Sequence, residues 1–192
     1  ADVLQLSTGA HAFADNNKLQ NVETVKTHSS GSEVTLANQT EAFAIMGGAG
    51  ADIITGGAQV DTITGGGEVD TIAGGAGNDI ITGGAGNDII TVDVGTDTVL
   101  DLGGAGGDED DVVVIEAGAT LAATGIAGFT ATNVTTNKST GAGNATLTAK
   151  ADAAVTIDVS GAKSDSKGFT LEGGSGTGND ILTGGAGADI IT

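Results

Sequence analysis

GGAGADIIT, GGAQVDTIT, GGGEVDTIA, GGAGNDIIT and GGAGNDIIT follow one another without a break from Gly47 to Thr91. Each nonapeptide carries Asp in its sixth place (Asp52, Asp61, Asp70, Asp79, Asp88) and Ile in its eighth (Ile54, Ile63, Ile72, Ile81, Ile90). A strict period of nine is a stacking signal, because a unit this small buries nothing without its neighbours. The chain therefore reads as an all-β solenoid with its carboxylates stacked along it.

Working outward in steps of nine, the apolar row runs Leu36, Ile45, Ile54, Ile63, Ile72, Ile81, Ile90 and Val99. Thr27 and Asp108 occupy the next steps, so the inward row is expected to stop there; a second row in the same frame of the repeat appears at the far end, with Leu182 and Ile191. Four segments follow from this frame: 1–46, irregular β rungs leading into the coil; 47–100, the regular block; 101–172, an acidic loop and an Ala/Thr-rich β segment; and 173–192, the start of a second block. Strands are predicted at Val3–Leu6, Val22–Lys26, Val34–Leu36, Phe43–Met46, Val112–Ile115, Thr146–Thr148, Val155–Val159 and Phe169–Leu171. Asp15–Lys18 is read as a polar connection, and the rung at 92–100 keeps Gly95, Asp97 and Val99. GGAGGDEDD, from Gly103 to Asp111, fits two frames, ending in Asp108 or in Asp111. Beginning without Met and ending directly after a complete repeat, the chain is expected to be a piece of a longer protein.

Composition narrows the class. In 192 residues there are four Phe, one Met and neither Trp nor Tyr, so the interior must be narrow and filled by Ile, Val, Leu and Ala. The 35 Gly are periodic, unlike a flexible linker, and the absence of Pro excludes collagen and leaves every backbone N–H free for a ladder. Twenty-five acidic against six basic residues give a net charge of −19, which argues against nucleic acid and anionic membrane surfaces and for cations as partners. No run approaches the length of a membrane span, so no membrane insertion is expected. There is no Cys, hence no disulfide framework and no thiolate site.

A nonapeptide divides into a six-residue turn and a three-residue strand, with Ile of the eighth place facing in and the seventh and ninth places facing out. Two nonapeptides make one coil. Asp52, Asp70 and Asp88 then line one edge, and Asp61 and Asp79 the other. Coils lie about 4.8 Å apart. Carboxylates at about 5 Å repel by roughly 3 kcal/mol at an effective dielectric near 20. Several calcium ions between the coils would remove that penalty, since Ca²⁺ takes six to eight oxygens from carboxylates and backbone carbonyls together. Glycines permit positive φ and allow the turn carbonyls to point at the metal. Mg²⁺ suits the site less well because it retains waters, and zinc is disfavoured because only His11 and His28 are available.

These copies match the pattern GGxGxDxUx, and the chain resembles the RTX, or hemolysin-type, calcium-binding nonapeptide repeat family over 47–100 and 173–192. The resemblance implies a right-handed parallel β-roll. It implies metal ligands at Asp52, Asp61, Asp70, Asp79, Asp88, Asp97, Asp108, Asp180 and Asp189. Backbone carbonyls would come from Gly47, Gly48, Gly50, Gly56, Gly57, Gly65, Gly66, Gly67, Gly74, Gly75, Gly77, Gly83, Gly84, Gly86, Gly184, Gly185 and Gly187. Two copies depart from the pattern, with Gln59 and Glu68 in the fourth, glycine place. A side chain there is expected to strain the turn, while Glu68 offers an additional carboxylate as the alternative. The Ala/Thr-rich stretch Asn133–Leu171 before a fresh block is similar to bacterial surface-layer proteins. Export by type I secretion and folding on extracellular calcium are further implications of the resemblance.

Function follows as an expectation: a calcium-dependent structural module at the cell surface, associating with itself or with neighbouring modules of the same chain. The alternative is the calcium-binding tail of a secreted enzyme or toxin. Neither HExxH nor GxSxG nor a P-loop occurs, so no catalysis is expected of this chain. Outward Thr55, Thr64, Thr82 and Thr91 are interrupted by Ile53, Ile80 and Ile89, which argues against an ice-binding face. The sequons at Asn133 and Asn144 are what chance gives in a Thr-rich chain.

Overall fold

The computed structural model describes residues 2–13, 19–102, 111–117, 119–126, 129–131, 135–138, 145–149, 155–163, 166–175 and 178–192. Asp15–Lys18, Gly103–Asp110 with Asp108, and the sequon residues Asn133 and Asn144 lie outside the described residues. Among those described, every regular element is a strand. A first sheet runs β1 (Val3–Gln5), β3 (Thr24–Lys26), β5 (Ala44–Gly48), β7 (Thr62–Gly67), β9 (Ile80–Ala85), β11 (Thr96–Val99), β13 (Thr120–Ile126), β16 (Ala145–Ala149), β18 (Thr170–Glu172) and β20 (Ile190–Ile191). A second runs β2 (Gly9–Ala12), β4 (Ser32–Thr35), β6 (Ile53–Thr55), β8 (Thr71–Ala73), β10 (Ile89–Val92), β12 (Val112–Ile115) and β15 (Thr136–Asn137). The third holds β14 (Phe129–Thr130), β17 (Thr156–Asp158) and β19 (Ile181–Thr183).

From β1 to β13 successive strands alternate between the first two sheets, and all pairings are parallel. The chain is thus a parallel β-solenoid. Within the regular block one coil is two nonapeptides: Ile45 pairs with Ile63 and Ile63 with Ile81, while Ile54 pairs with Ile72 and Ile72 with Ile90. All five repeat Ile are buried, whereas Ile53 in the seventh place is half exposed, as alternation along a strand requires.

The inward rows run further than a step of nine predicts. On the first sheet Leu4, Val25 and Ile45 are in register, and beyond Val99 the row continues through Ala123, Leu147 and Leu171, with Ile191 in register after them but exposed. Register survives because the coil lengthens in its turns, with 24 residues separating Val99 from Ala123, while the strand keeps its pairing and its inward apolar position. At the near end Val34, not Leu36, pairs with Ile54; Leu36 is buried two residues further along the chain. The six-plus-three division also needs correction. It fits β6 and β8, but β7 and β9 extend through the glycines to Gly67 and Ala85, with Gly66 paired to Gly84.

Candidate metal centre

The turns place the sixth-place Asp at the start of a strand. Asp52, Asp70 and Asp88 precede β6, β8 and β10 on one edge; on the other Asp61 and Asp79 precede β7 and β9, and Asp97 is the second residue of β11. All six are buried. Every Oδ1 accepts a hydrogen bond from the backbone N–H one coil earlier: Asp52 to Asp70 at 2.7 Å, Asp61 to Asp79 at 2.8 Å, Asp70 to Asp88 at 2.9 Å and Asp79 to Asp97 at 3.0 Å. The rows start on Ser32 and Phe43, whose N–H groups donate to Asp52 and Asp61 at 2.7 Å.

The second oxygen is different. Oδ2 of Asp52, Asp70, Asp79, Asp88 and Asp97 is buried and accepts no hydrogen bond. A buried carboxylate oxygen without a partner is costly, and a repeated set of them suits a bound cation. Burial raises the pKa of every member: Asp70 to about 7, and Asp61, Asp88 and Asp97 to about 6, with Asp52 and Asp79 raised as well. The backbone N–H bonds pull in the opposite direction, and like charge adds to the rise, from Asp88 and Asp52 on Asp70 and from Asp79 on Asp97.

The first-place glycine gives the free oxygen its space. A Cβ on Gly65, Gly74 or Gly83 would lie 2.3 Å from Oδ2 of Asp70, Asp79 or Asp88. None of these three has positive φ, so close approach and not conformational freedom requires glycine here. Positive φ belongs instead to second- and fourth-place residues such as Gly84 and Gly86. The idle buried atoms of these rows are hard carboxylate oxygens, which fits calcium. Some of the turn carbonyls already serve the ladder, as Gly57 does in accepting from Ala76 N–H at 2.9 Å. His11 and His28 bond to Ser7 and Ser30.

Not every predicted ligand is equivalent. Asp61 turns Oδ2 onto its own Gly57 N–H at 2.6 Å. Asp180 and Asp189 in the second block are half-buried, and both their oxygens accept, from Val155 and Gly174 and from Phe169 and Gly185 respectively. Asp108 lies outside the described residues, and Asp111 continues the row, buried and accepting from Asp88 N–H at 2.8 Å. Glu68 is exposed at φ 67°, beside Val69 and Gly86 in an open cleft, and is not grouped with the buried carboxylates. Asp93 and Asp101 escaped the sequence reading because they stand where a repeat has glycine. Asp93 Oδ2 accepts from Gly75 N–H at 3.2 Å; the Asp101 oxygens accept from Gly83 and Gly84 at 2.9 and 2.8 Å. Their signal was the 18-residue offset that stacks Asp93 on Gly75 and Asp101 on Gly83.

Residues 44–72, 64–99 and 170–192 match the family model described as RTX calcium-binding nonapeptide repeat (4 copies). No curated protein and no solved structure matches the chain.

Proposed function

We propose, for a chain whose Gly-rich blocks are RTX calcium-binding nonapeptide repeats, that it is a calcium-dependent structural module of an exported bacterial surface protein. Such repeats imply calcium binding and typically occur in secreted proteins. The observation carrying this reading is the set of five buried, unpartnered Asp oxygens stacked in two rows. Asp52, Asp70 and Asp88 would hold ions on one edge and Asp79 and Asp97 on the other, each with turn carbonyls. Calcium supplies the positive charge that lets stacked carboxylates stay ionised in a dry seam.

Without the ion, like charge and the entropy of 35 Gly keep the chain expanded. Extracellular modules bind calcium at roughly 0.1 to 1 mM, so folding waits for the outside of the cell. The role is that of a scaffold in a surface layer, adhesin or extracellular matrix, with self-association or neighbouring modules as partners and without catalysis. Circular dichroism with and without calcium, followed by electron microscopy, tests it. Calcium should bring β structure and then sheets or filaments. A folded but persistently monomeric chain would instead favour the tail of a secreted enzyme or toxin, and β structure unchanged by chelation would remove calcium from the account.

A further inference from the structure

We infer that Asp93 is a calcium ligand that closes the Asp61, Asp79, Asp97 edge with a third carboxylate, making its last site the tightest in the block. The inference rests on the calcium reading above. Along this edge the column of sixth-place residues ends at Asp97, because the next coil sets Leu121 opposite it. Leu121 is buried and offers no side-chain oxygen. An ion between Asp79 and Asp97 therefore sits at the end of the row, and the chain compensates within the same rung.

Asp93 occupies the second place of that rung, a glycine in all five regular repeats. Its side chain reaches the pair: one carboxylate oxygen each of Asp79, Asp93 and Asp97 lies within 4.8 Å of the others. Two of the three residues are fully buried, and three buried oxygens, Asp79 Oδ2, Asp97 Oδ2 and Asp93 Oδ1, accept no hydrogen bond. Among the described residues none of the three has a cationic partner. Three clustered carboxylates with three buried, idle oxygens are a ligand set for a hard divalent ion. Only Oδ2 of Asp93 is spent, on the Gly75 amide. Asp93 keeps one back.

Stepwise chelation of the calcium-loaded full chain, with bound ions counted by native mass spectrometry, tests this. In the wild-type chain one ion should persist to a free calcium concentration roughly tenfold lower than the rest, on the scale by which ligand charge tunes calcium affinity. Asp93→Asn should abolish that persistence. Asp93→Gly, which restores the glycine of a regular repeat and so preserves the turn, should do the same; circular dichroism in excess calcium verifies folding. Glu33→Gln, removing one exposed charge from β4, should leave it in place. The inference falls if the last ion leaves both Asp93 variants at the wild-type calcium concentration, or if Glu33→Gln lowers retention equally. A wild-type chain that takes up no calcium would overturn the proposed function itself, and this inference with it.

Discussion

Glu68 holds a φ of 67° where the same place one coil later is Gly86, at 125°. The left-handed region is easy for glycine and costs other residues about 1 kcal/mol or more, so the turn that carries Glu68 is strained. Its exposed side chain offers no visible return, since it is not grouped with the buried carboxylates. Glu68→Gly is therefore expected to stabilise the calcium-loaded chain by about 1 kcal/mol, read as a higher urea midpoint at unchanged slope. An unchanged or lower midpoint would mean that Glu68 makes a compensating contact. Gln59 stands in the corresponding place of its own repeat and is absent from the positive-φ residues, so the two departures from the glycine pattern are solved by different backbones.

At the scale of the strand, burial separates neighbours that look alike in sequence. Ile72 in β8 is completely buried, while Ile53 in β6 is 50% exposed. Ile72→Ala should lose about 2 to 5 kcal/mol by leaving a cavity between coils. Ile53→Ala should stay within about 0.5 kcal/mol. Thermal unfolding in calcium measures both, and similar losses would mean that the outer face is covered. This alternation was legible because repeats of nine fix which Ile face inward. Outside the block the same physics acts without the period. Strand β13 (Thr120–Ile126), with Ala122 and Ala123 at its centre, lacks β-branched emphasis there, and β2 reads GAHA; neither was predicted. Their register comes from pairing with β11 and β4, a tertiary cause invisible to local propensity. The metal centre divides in the same way: sixth-place Asp residues were readable from spacing, whereas Asp93 was hidden by standing in a glycine place, and Asp111 required a coil length that only the structure supplies.

Across the whole molecule the carboxylate rows couple folding to both protons and calcium, with opposite signs. In the metal-free fold burial raises Asp70 to about 7 and Asp61, Asp88, Asp93 and Asp97 to about 6, against about 3.9 for an unhindered Asp. Between those values the folded chain binds more protons than the unfolded one, so its stability falls as pH rises. The contribution is fully present below about pH 4 and is lost through pH 6 to 7. Calcium demands the ionised carboxylate, so its binding strengthens as pH rises over the same range. Chelated chain should therefore show more β structure at about pH 4.5 than at about pH 7.5, while millimolar calcium should restore it at the higher pH and add little at the lower. Circular dichroism at the two pH values, with and without chelator, reads all four states. A chelated chain more ordered at the higher pH would mean that the aspartates are ionised and satisfied without a metal, leaving the stacked seam to be held by its backbone bonds alone.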